Sequence, residues 1–142
     1  MRGARASGGA VVTHAELADL VVRFTDAFNR DDLDGVMAFF AEDGVYDEFD
    51  GQRRVGKRAI RAAFEPQFRG DYGRMRFVTE DLFVDPESGK GLISWLCTTE
   101  GNGKIRGWRG LDILRFADGK LVEKQTYAKA ERLKLEEVPK PT

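Results

Sequence analysis

The stretch WRGLDILRFADGKLVEK, which runs from Trp108 to Lys124, carries the clearest fold signal in the chain. Its alternating apolar residues predict a β-strand that continues to about Phe116. The Asp118-Gly119 pair that follows is typical of a tight hairpin turn, so we expect the chain to fold back at once into a second strand. An antiparallel hairpin is therefore predicted here.

The first strand of this hairpin carries an acidic side chain among apolar ones. Because side chains alternate between the two faces of a strand, Asp112 shares its face with three large apolar residues: Trp108, Leu114 and Phe116. A buried carboxyl without a partner stays protonated and becomes a hydrogen-bond donor at neutral pH. The alternatives are an ion pair with Arg106 or Arg109, or exposure of the carboxyl at a bulge.

Size and charge exclude some classes of protein. The chain has 142 residues, of which 42% are hydrophobic and 33% are charged, and these values fit one globular domain with a core of useful size. Lys and Arg total 23 and Asp and Glu total 24, so the net charge is -1 and the sequence has no basic surplus for a polyanion. We therefore expect no nucleic-acid partner.

The sequence also lacks the signals for membranes, metals and common cofactors. No apolar run approaches the roughly 18 to 20 residues of a membrane span, and the N-terminal MRGARASGG has no apolar signal core, so a cytoplasmic protein without membrane contact is expected. One cysteine, Cys97, and one histidine, His14, cannot supply a metal site, and Cys97 is expected in the core. Gly107 and Gly110 indicate bulges or close backbone packing, not a phosphate-binding loop, so no cofactor is expected.

The N-terminal half predicts helices. A capping-box sequence at Thr13 begins the first helix, which ends near Asn29. Either Asp31 or Asp32 caps a second helix, which ends at residues 42–44. A short strand over residues 45–49 and a third helix from about Lys57 follow in order.

The second half changes to the two-residue period of strands. Alternating residues predict long strands near 75–84 and 90–100, followed by the hairpin, whose last strand ends near residue 130. The predicted organisation is a disordered leader (1–12), a single domain (13–130) and a charged tail (131–142). Helices followed by antiparallel strands predict an α+β fold, with three helices on one face of a curved sheet that can enclose a pocket.

Carboxylates are the other candidates for chemistry. In FAEDGVYDEF, residues 40–49, strand alternation groups Tyr46 with Glu48 on one face and Asp47 with Phe49 on the other. Either face can be the inner one. The alternative to a site is a solvated acidic edge formed by Asp47 and Glu48.

Three runs of the sequence resemble the ketosteroid isomerase branch of the nuclear transport factor 2-like superfamily, which also holds the SnoaL-like polyketide cyclases: FNRDDLDGVMAFFAEDGVYDEF, RVGKRAIRAAF and RGLDILRFADGKLVEKQTY. The resemblance covers roughly residues 17–129. It implies a cone-shaped fold, in which three N-terminal helices pack on a strongly curved, mostly antiparallel sheet around an apolar pocket. It also implies a homodimer formed through the sheet.

The resemblance implies roles for individual residues. Glu48 stands at the position of the isomerase's general base, and Asp112 at the position of its protonated aspartic acid, which donates to an oxyanion. Phe24 replaces the oxyanion tyrosine, so that donor is absent. Three side chains are candidate substitutes for it: Tyr46, Tyr127 and Trp108. The catalytic aspartate of the cyclases falls on Thr126.

The leading hypothesis is a cofactor-free enzyme that transfers protons on a small hydrophobic carbonyl compound, as an isomerase or a cyclase does. Glu48 would remove a proton and Asp112, protonated, would donate to the enolate oxygen. The expected ligand contacts are Phe24, Tyr46, Trp108, Leu114, Phe116 and Tyr127. One alternative is a non-catalytic ligand-binding or accessory module of the same fold. A minor alternative is an epoxide hydrolase that uses Arg109 with Asp112.

Overall fold

The computed structural model describes residues 12–132 and 135–141. The domain predicted over 13–130 lies within this part of the chain, whereas the predicted leader lies outside it except for Val12. Three helices and six strands follow in the order α1 His14–Asn29, α2 Leu33–Phe39, β1 Phe40–Asp47, β2 Arg53–Val55, α3 Lys57–Phe68, β3 Arg74–Asp85, β4 Lys90–Gly101, β5 Lys104–Ala117 and β6 Lys120–Ala128.

Local capping signals set the starts of the first two helices. The Thr13 hydroxyl accepts a hydrogen bond from the Glu16 backbone N–H at 3.1 Å, and the Glu16 carboxylate accepts one from the Thr13 N–H at 2.9 Å. The predicted capping box and the predicted end of α1 at Asn29 are confirmed. Of the two candidate caps for α2, Asp32 is the one used, because its carboxylate accepts from the Gly35 N–H.

The boundary between α2 and β1 differs from the prediction. Helix α2 ends at Phe39, several residues before the predicted end, and Phe40 already has extended backbone angles. Strand β1 begins there because Phe40 pairs with Leu121 of β6, which lies at the other end of the domain. This long-range pairing overrides the helical pattern of residues 36–40.

The strands form one curved, unclosed sheet in the order β2-β1-β6-β5-β4-β3. All neighbouring pairs are antiparallel except β1 and β6, which are parallel. The predicted hairpin is confirmed, since β5 and β6 are joined by Asp118 and Gly119 with φ values of 51° and 77°. Two successive positive φ angles are those of the hairpin turn that Asp-Gly favours.

The helices cover the inner face of the sheet, as the predicted α+β fold requires. The core between them is aromatic on the helix side, with Phe24 and Phe28 from α1 and Phe64 from α3. Cys97 is fully buried there, as expected, and burial raises the pKa of its thiol to about 12. None of the described helices is long and apolar enough to cross a membrane.

Candidate functional site

A cavity of about 560 Å³ lies between the helices and the inner face of the sheet. Its volume is in the range of small-molecule sites. The walls are largely aromatic and include Phe24, Phe28, Tyr46, Phe64, Phe77 and Trp95. Polar side chains reach it from β5, β6 and the segment that follows β1.

Asp112 lies at the buried end of this cavity, with 7% of its surface exposed. Its carboxylate accepts three hydrogen bonds. Trp95 Nε1 donates to Oδ2 at 3.2 Å, whereas Lys124 Nζ at 2.9 Å and Thr126 Oγ1 at 2.6 Å both donate to Oδ1. Lys124 also donates to Thr126 Oγ1 at 2.6 Å, so the three polar groups of β5 and β6 form one closed network.

This arrangement differs from both of the ion pairs that the sequence offered for Asp112. Arg109 forms a salt bridge with Glu80 at 2.9 Å, and strand alternation puts it on the face opposite to Asp112. Arg106 makes no ion pair with any described residue. The expectation of an unpartnered carboxyl is wrong as well, because Lys124 supplies an ammonium group inside the cavity.

Lys124 reaches the cavity because β6 contains an irregularity, in which Val122 is an extra residue opposite the Arg115–Phe116 step of β5. Counting back from the Asp118-Gly119 turn would pair Lys124 with Ile113, on the outer face of the sheet. A register shift between Arg115 and Phe116 instead pairs Lys124 with Leu114, whose side chain points inward. One extra residue in the ladder therefore turns the cation into the cavity.

The environment of Lys124 holds it in its charged form. Burial by itself lowers the pKa of the ammonium, but Asp112, Tyr46 and Glu48 together more than offset this, so the pKa of Lys124 is raised. The Nζ atom also lies 4.5 Å from the centroid of the Tyr46 ring, a cation–π distance. Lys124 is thus a buried cation at neutral pH.

Tyr46 and Glu48 share the inner face of the chain at the end of β1, and both line the cavity. Burial raises the pKa of Tyr46, so its phenol stays neutral. The Glu48 side chain is 16% exposed and accepts a hydrogen bond from Arg54 Nε at 2.5 Å. Asp47 is not among the lining residues and pairs with Arg53 at 3.3 Å. Of the two faces left open by the sequence, the one with Tyr46 and Glu48 is inward, although Phe49, which was grouped with Asp47, also lines the cavity beyond the end of β1.

The predicted ligand contacts divide into two groups. Phe24, Tyr46 and Trp108 line the cavity. Trp108 is 39% exposed, more than Asp112, the other lining residue on β5. Leu114 and Phe116 do not line it, because they are packed in the core beyond Asp112. Tyr127 does not line it either. It lies between Thr126 and Ala128, which face the cavity, so alternation directs Tyr127 to the outer face.

Trp95 and Lys124 are the polar groups that the sequence did not single out. A Cβ atom on Gly110 would lie 2.6 Å from the Trp95 ring and 2.4 Å from the Tyr127 carbonyl oxygen. Gly110 therefore allows the indole to lie against β5 and donate to Asp112, which confirms the predicted close packing at this glycine. Within the described ranges, no group of three metal-ligating side chains is found.

Comparisons with known proteins agree with this fold. A family model described as a SnoaL-like domain matches residues 21–124. A proposed polyketide cyclase from Xanthomonas campestris pv. campestris is 25% identical, with a TM-score of 0.68 over 80% of this chain and 90% of that one. An NTF2-like protein of unknown function from Mesorhizobium loti is 24% identical, with a TM-score of 0.69 over 82% and 93%.

A third similar structure is AclR, a proposed hydroxylase from Streptomyces galilaeus. It is 20% identical, with a TM-score of 0.68 over 82% of this chain and 91% of that one, and it shows the shared fold. No curated protein matches the sequence.

The buried ion pair predicts strong energetic coupling between its members. We expect Lys124→Met to lower the free energy of unfolding by about 3 to 5 kcal/mol, because the Asp112 carboxylate would be left buried without a cation. The double variant Asp112→Leu/Lys124→Met should recover most of this loss. Urea denaturation of the wild type, both single variants and the double variant measures the coupling. Strictly additive losses would contradict it.

The raised pKa of Lys124 predicts how stability depends on pH. Its ordinary value is 10.5, and the folded protein holds the proton more tightly than the unfolded chain does. The contribution of this group is therefore complete below about pH 10.5 and is lost as the pH rises through the folded pKa. Urea titrations should show a steeper alkaline loss for the wild type than for Asp112→Leu/Lys124→Met. Equal slopes of unfolding free energy against pH would refute this. Tyr46 also has a raised pKa, but both proteins retain it, so it does not account for a difference between them.

Proposed function

Because this chain belongs to the SnoaL-like domain family, we propose that it is an enzyme that transfers protons on a small hydrophobic carbonyl compound by general acid–base catalysis. The observation that carries the proposal is the convergence of two acid–base centres on one aromatic cavity. Glu48 reaches it from the end of β1, and the Lys124–Asp112 pair occupies its buried end. A simple binding site needs only one such group.

Glu48 is the general base in this proposal. Its carboxylate takes a proton from the carbon next to the carbonyl, the electron pair of the C–H bond moves to form the enolate, and the proton is returned at another carbon. Nothing is oxidised or reduced, so the step balances without a cofactor. Glu48 also accepts a hydrogen bond from Arg54 Nε, which holds the carboxylate at the wall of the cavity.

Lys124 takes the role that the resemblance assigned to Asp112. A carboxylate that accepts hydrogen bonds from Trp95, Lys124 and Thr126 has no proton to give, whereas the Lys124 ammonium has. Its N–H groups would stabilise the enolate oxygen, and Asp112 would hold the ammonium in place. Because its pKa is raised, Lys124 is a poor nucleophile at neutral pH, so an electrostatic role fits it better than Schiff-base formation.

Two variants test the assignment of the base. We expect Glu48→Gln to slow exchange of α-hydrogens for deuterium in a panel of cyclic and aryl ketones by about 100-fold or more, followed by proton NMR. Asp47→Asn is the matched control, because Asp47 is the adjacent acid and does not line the cavity. Its rate should stay within about twofold of the wild type, since an acid outside the cavity does not meet the substrate.

Other outcomes would point elsewhere. An unchanged rate of deuterium exchange in Glu48→Gln would refute the assignment of Glu48 as the general base. Ketones that raise the melting temperature of the wild type without any exchange would favour the non-catalytic binding module instead. The epoxide hydrolase alternative has less support, because Arg109 and Asp112 lie on opposite faces of β5.

We also propose that the protein forms a homodimer through the outer face of its sheet, as the family resemblance implies. This face carries a row of apolar side chains that are paired across strands, Phe83 with Leu92 and Leu92 with Ile113. A second pair, Leu111 with Tyr127, lies beside the row. A second copy can cover this surface without touching the cavity, which is on the opposite face.

Sedimentation equilibrium tests the dimer. The wild type should have twice the mass of the chain, and Phe83→Asp should be monomeric, because an interfacial carboxylate would be buried without a partner. Val22→Asp on α1 is the control, because Val22 is 43% exposed and belongs to the helices that cover the opposite face of the sheet. A monomeric wild type, or a dimer that survives Phe83→Asp, would refute this surface.

A further inference from the structure

A second, polar groove adjoins the mouth of the cavity. Its volume is about 380 Å³, and its wall includes Thr99 from β4 and Lys104 and Arg106 from β5. Tyr72 and Thr99 line both the groove and the cavity, so the two depressions are adjacent. A ligand longer than the cavity would pass Tyr72 and enter the groove.

Strand β5 connects the two depressions along one face. Alternation places Asp112, Trp108, Arg106 and Lys104 on the same side of the strand. Asp112 is at the buried end, Trp108 is part of the exposed wall, and the two basic residues lie in the groove. The inner face of β5 thus runs from a buried acid to a pair of exposed cations.

The positive charge of this groove is not balanced by the acids around it. Lys104 and Arg106 have no carboxylate of the described residues within ion-pair distance. Asp71 also lines the groove, but it pairs with Arg69 at 2.7 Å. Glu100 pairs across the strands with Ile105, on the opposite face. This local surplus stands out in a chain whose net charge is -1.

We propose that the natural ligand is an amphiphile with two ends, an apolar body in the cavity and a terminal carboxylate or phosphate monoester in the groove. Arg106 offers a planar fork of donors that matches either anion, and Lys104 adds a second positive charge. The apolar segment between the two ends lies against Tyr72 and Trp108. The position of the reactive carbonyl in the cavity rests on the proposed function, whereas recognition of the anion does not.

The two ends also fix the orientation of the ligand. Asp112 and Lys124 leave no net charge at the closed end of the cavity, so a permanently ionised carboxylate or phosphate would lose its hydration there without a surplus cation. An enolate oxygen forms in place from a neutral carbonyl and needs only a donor N–H from Lys124. In the groove the carboxylate or phosphate stays partly hydrated and meets two cations without carboxylate partners. The anionic end is therefore held outside, and the other end of the molecule enters first.

Matched probes test this directly. We would titrate the protein by calorimetry with ω-(2-naphthyl)alkanoic acids of increasing chain length, with their neutral primary amides, and with the corresponding naphthylalkyl phosphates. At the best chain length, the wild type should bind an anion about 10-fold or more tightly than the amide. A preference for phosphate over carboxylate, or the reverse, identifies which anion the groove accepts.

Variants locate the preference. Lys104→Gln/Arg106→Gln should bind the anion and the amide with equal affinity, and its affinity for the amide should equal that of the wild type. Arg58→Gln is the control and should keep the wild-type ratio of anion affinity to amide affinity, because Arg58 is exposed on α3 and lines neither depression. Each ratio is measured within one variant, so small losses of folded protein do not affect it. Equal binding of the anion and the amide by the wild type overturns the proposal. An anion-to-amide affinity ratio that is unchanged by the double substitution, or that falls as much in Arg58→Gln, also overturns it.

The failure of catalysis can be told apart from the failure of anion binding. Glu48→Gln should retain the full preference for the anion, because Glu48 does not line the groove. If deuterium exchange of ketones is absent but the anion is preferred over the amide, only the proposed enzymatic function is refuted. If deuterium exchange depends on Glu48 but the anion is not preferred over the amide, only the proposal of an amphiphilic anionic ligand is refuted.

Discussion

The ion pair between Lys124 and Asp112 is the interaction on which the rest of the site depends. Each charge would be costly to bury alone, and each becomes tolerable because the other lies 2.9 Å away. The Asp112 carboxylate also accepts hydrogen bonds from Trp95 and Thr126, so its hydrogen-bond partners all belong to the protein. Two backbone features make this network possible: the extra residue in β6 turns Lys124 inward, and Gly110 leaves room for the Trp95 indole.

This pair changes the chemistry that a buried aspartate implies. An isolated acid in an apolar cavity stays neutral and donates a proton of its own, as in the isomerases that the sequence resembles. Here a neighbouring ammonium donates to the carboxylate, and in the proposed function Lys124 becomes the donor to the substrate. The site then has a charged but internally neutralised closed end, aromatic walls, and a second carboxylate, Glu48, within electrostatic reach of Lys124.

The fold separates surfaces that could otherwise interfere with each other. The inner face of the sheet, covered by helices, holds the cavity, whereas the outer face carries apolar residues and no part of the cavity. The similar structures include a proposed polyketide cyclase and a proposed hydroxylase, so the shared architecture does not by itself define a reaction. In the proposed function, the reaction depends on which few side chains occupy the inner positions of β1, β5 and β6.

The sequence by itself determined the features that depend on neighbours along the chain. The capping box at Thr13, the Asp118-Gly119 turn and the inward direction of Asp112 all follow from local hydrogen bonding, turn geometry or strand alternation. Only the tertiary structure decided where α2 gives way to β1 and which face Lys124 occupies. Both depend on pairing between strands that are distant in sequence or irregular in register, and a shift of one residue there reverses the face of every side chain that follows.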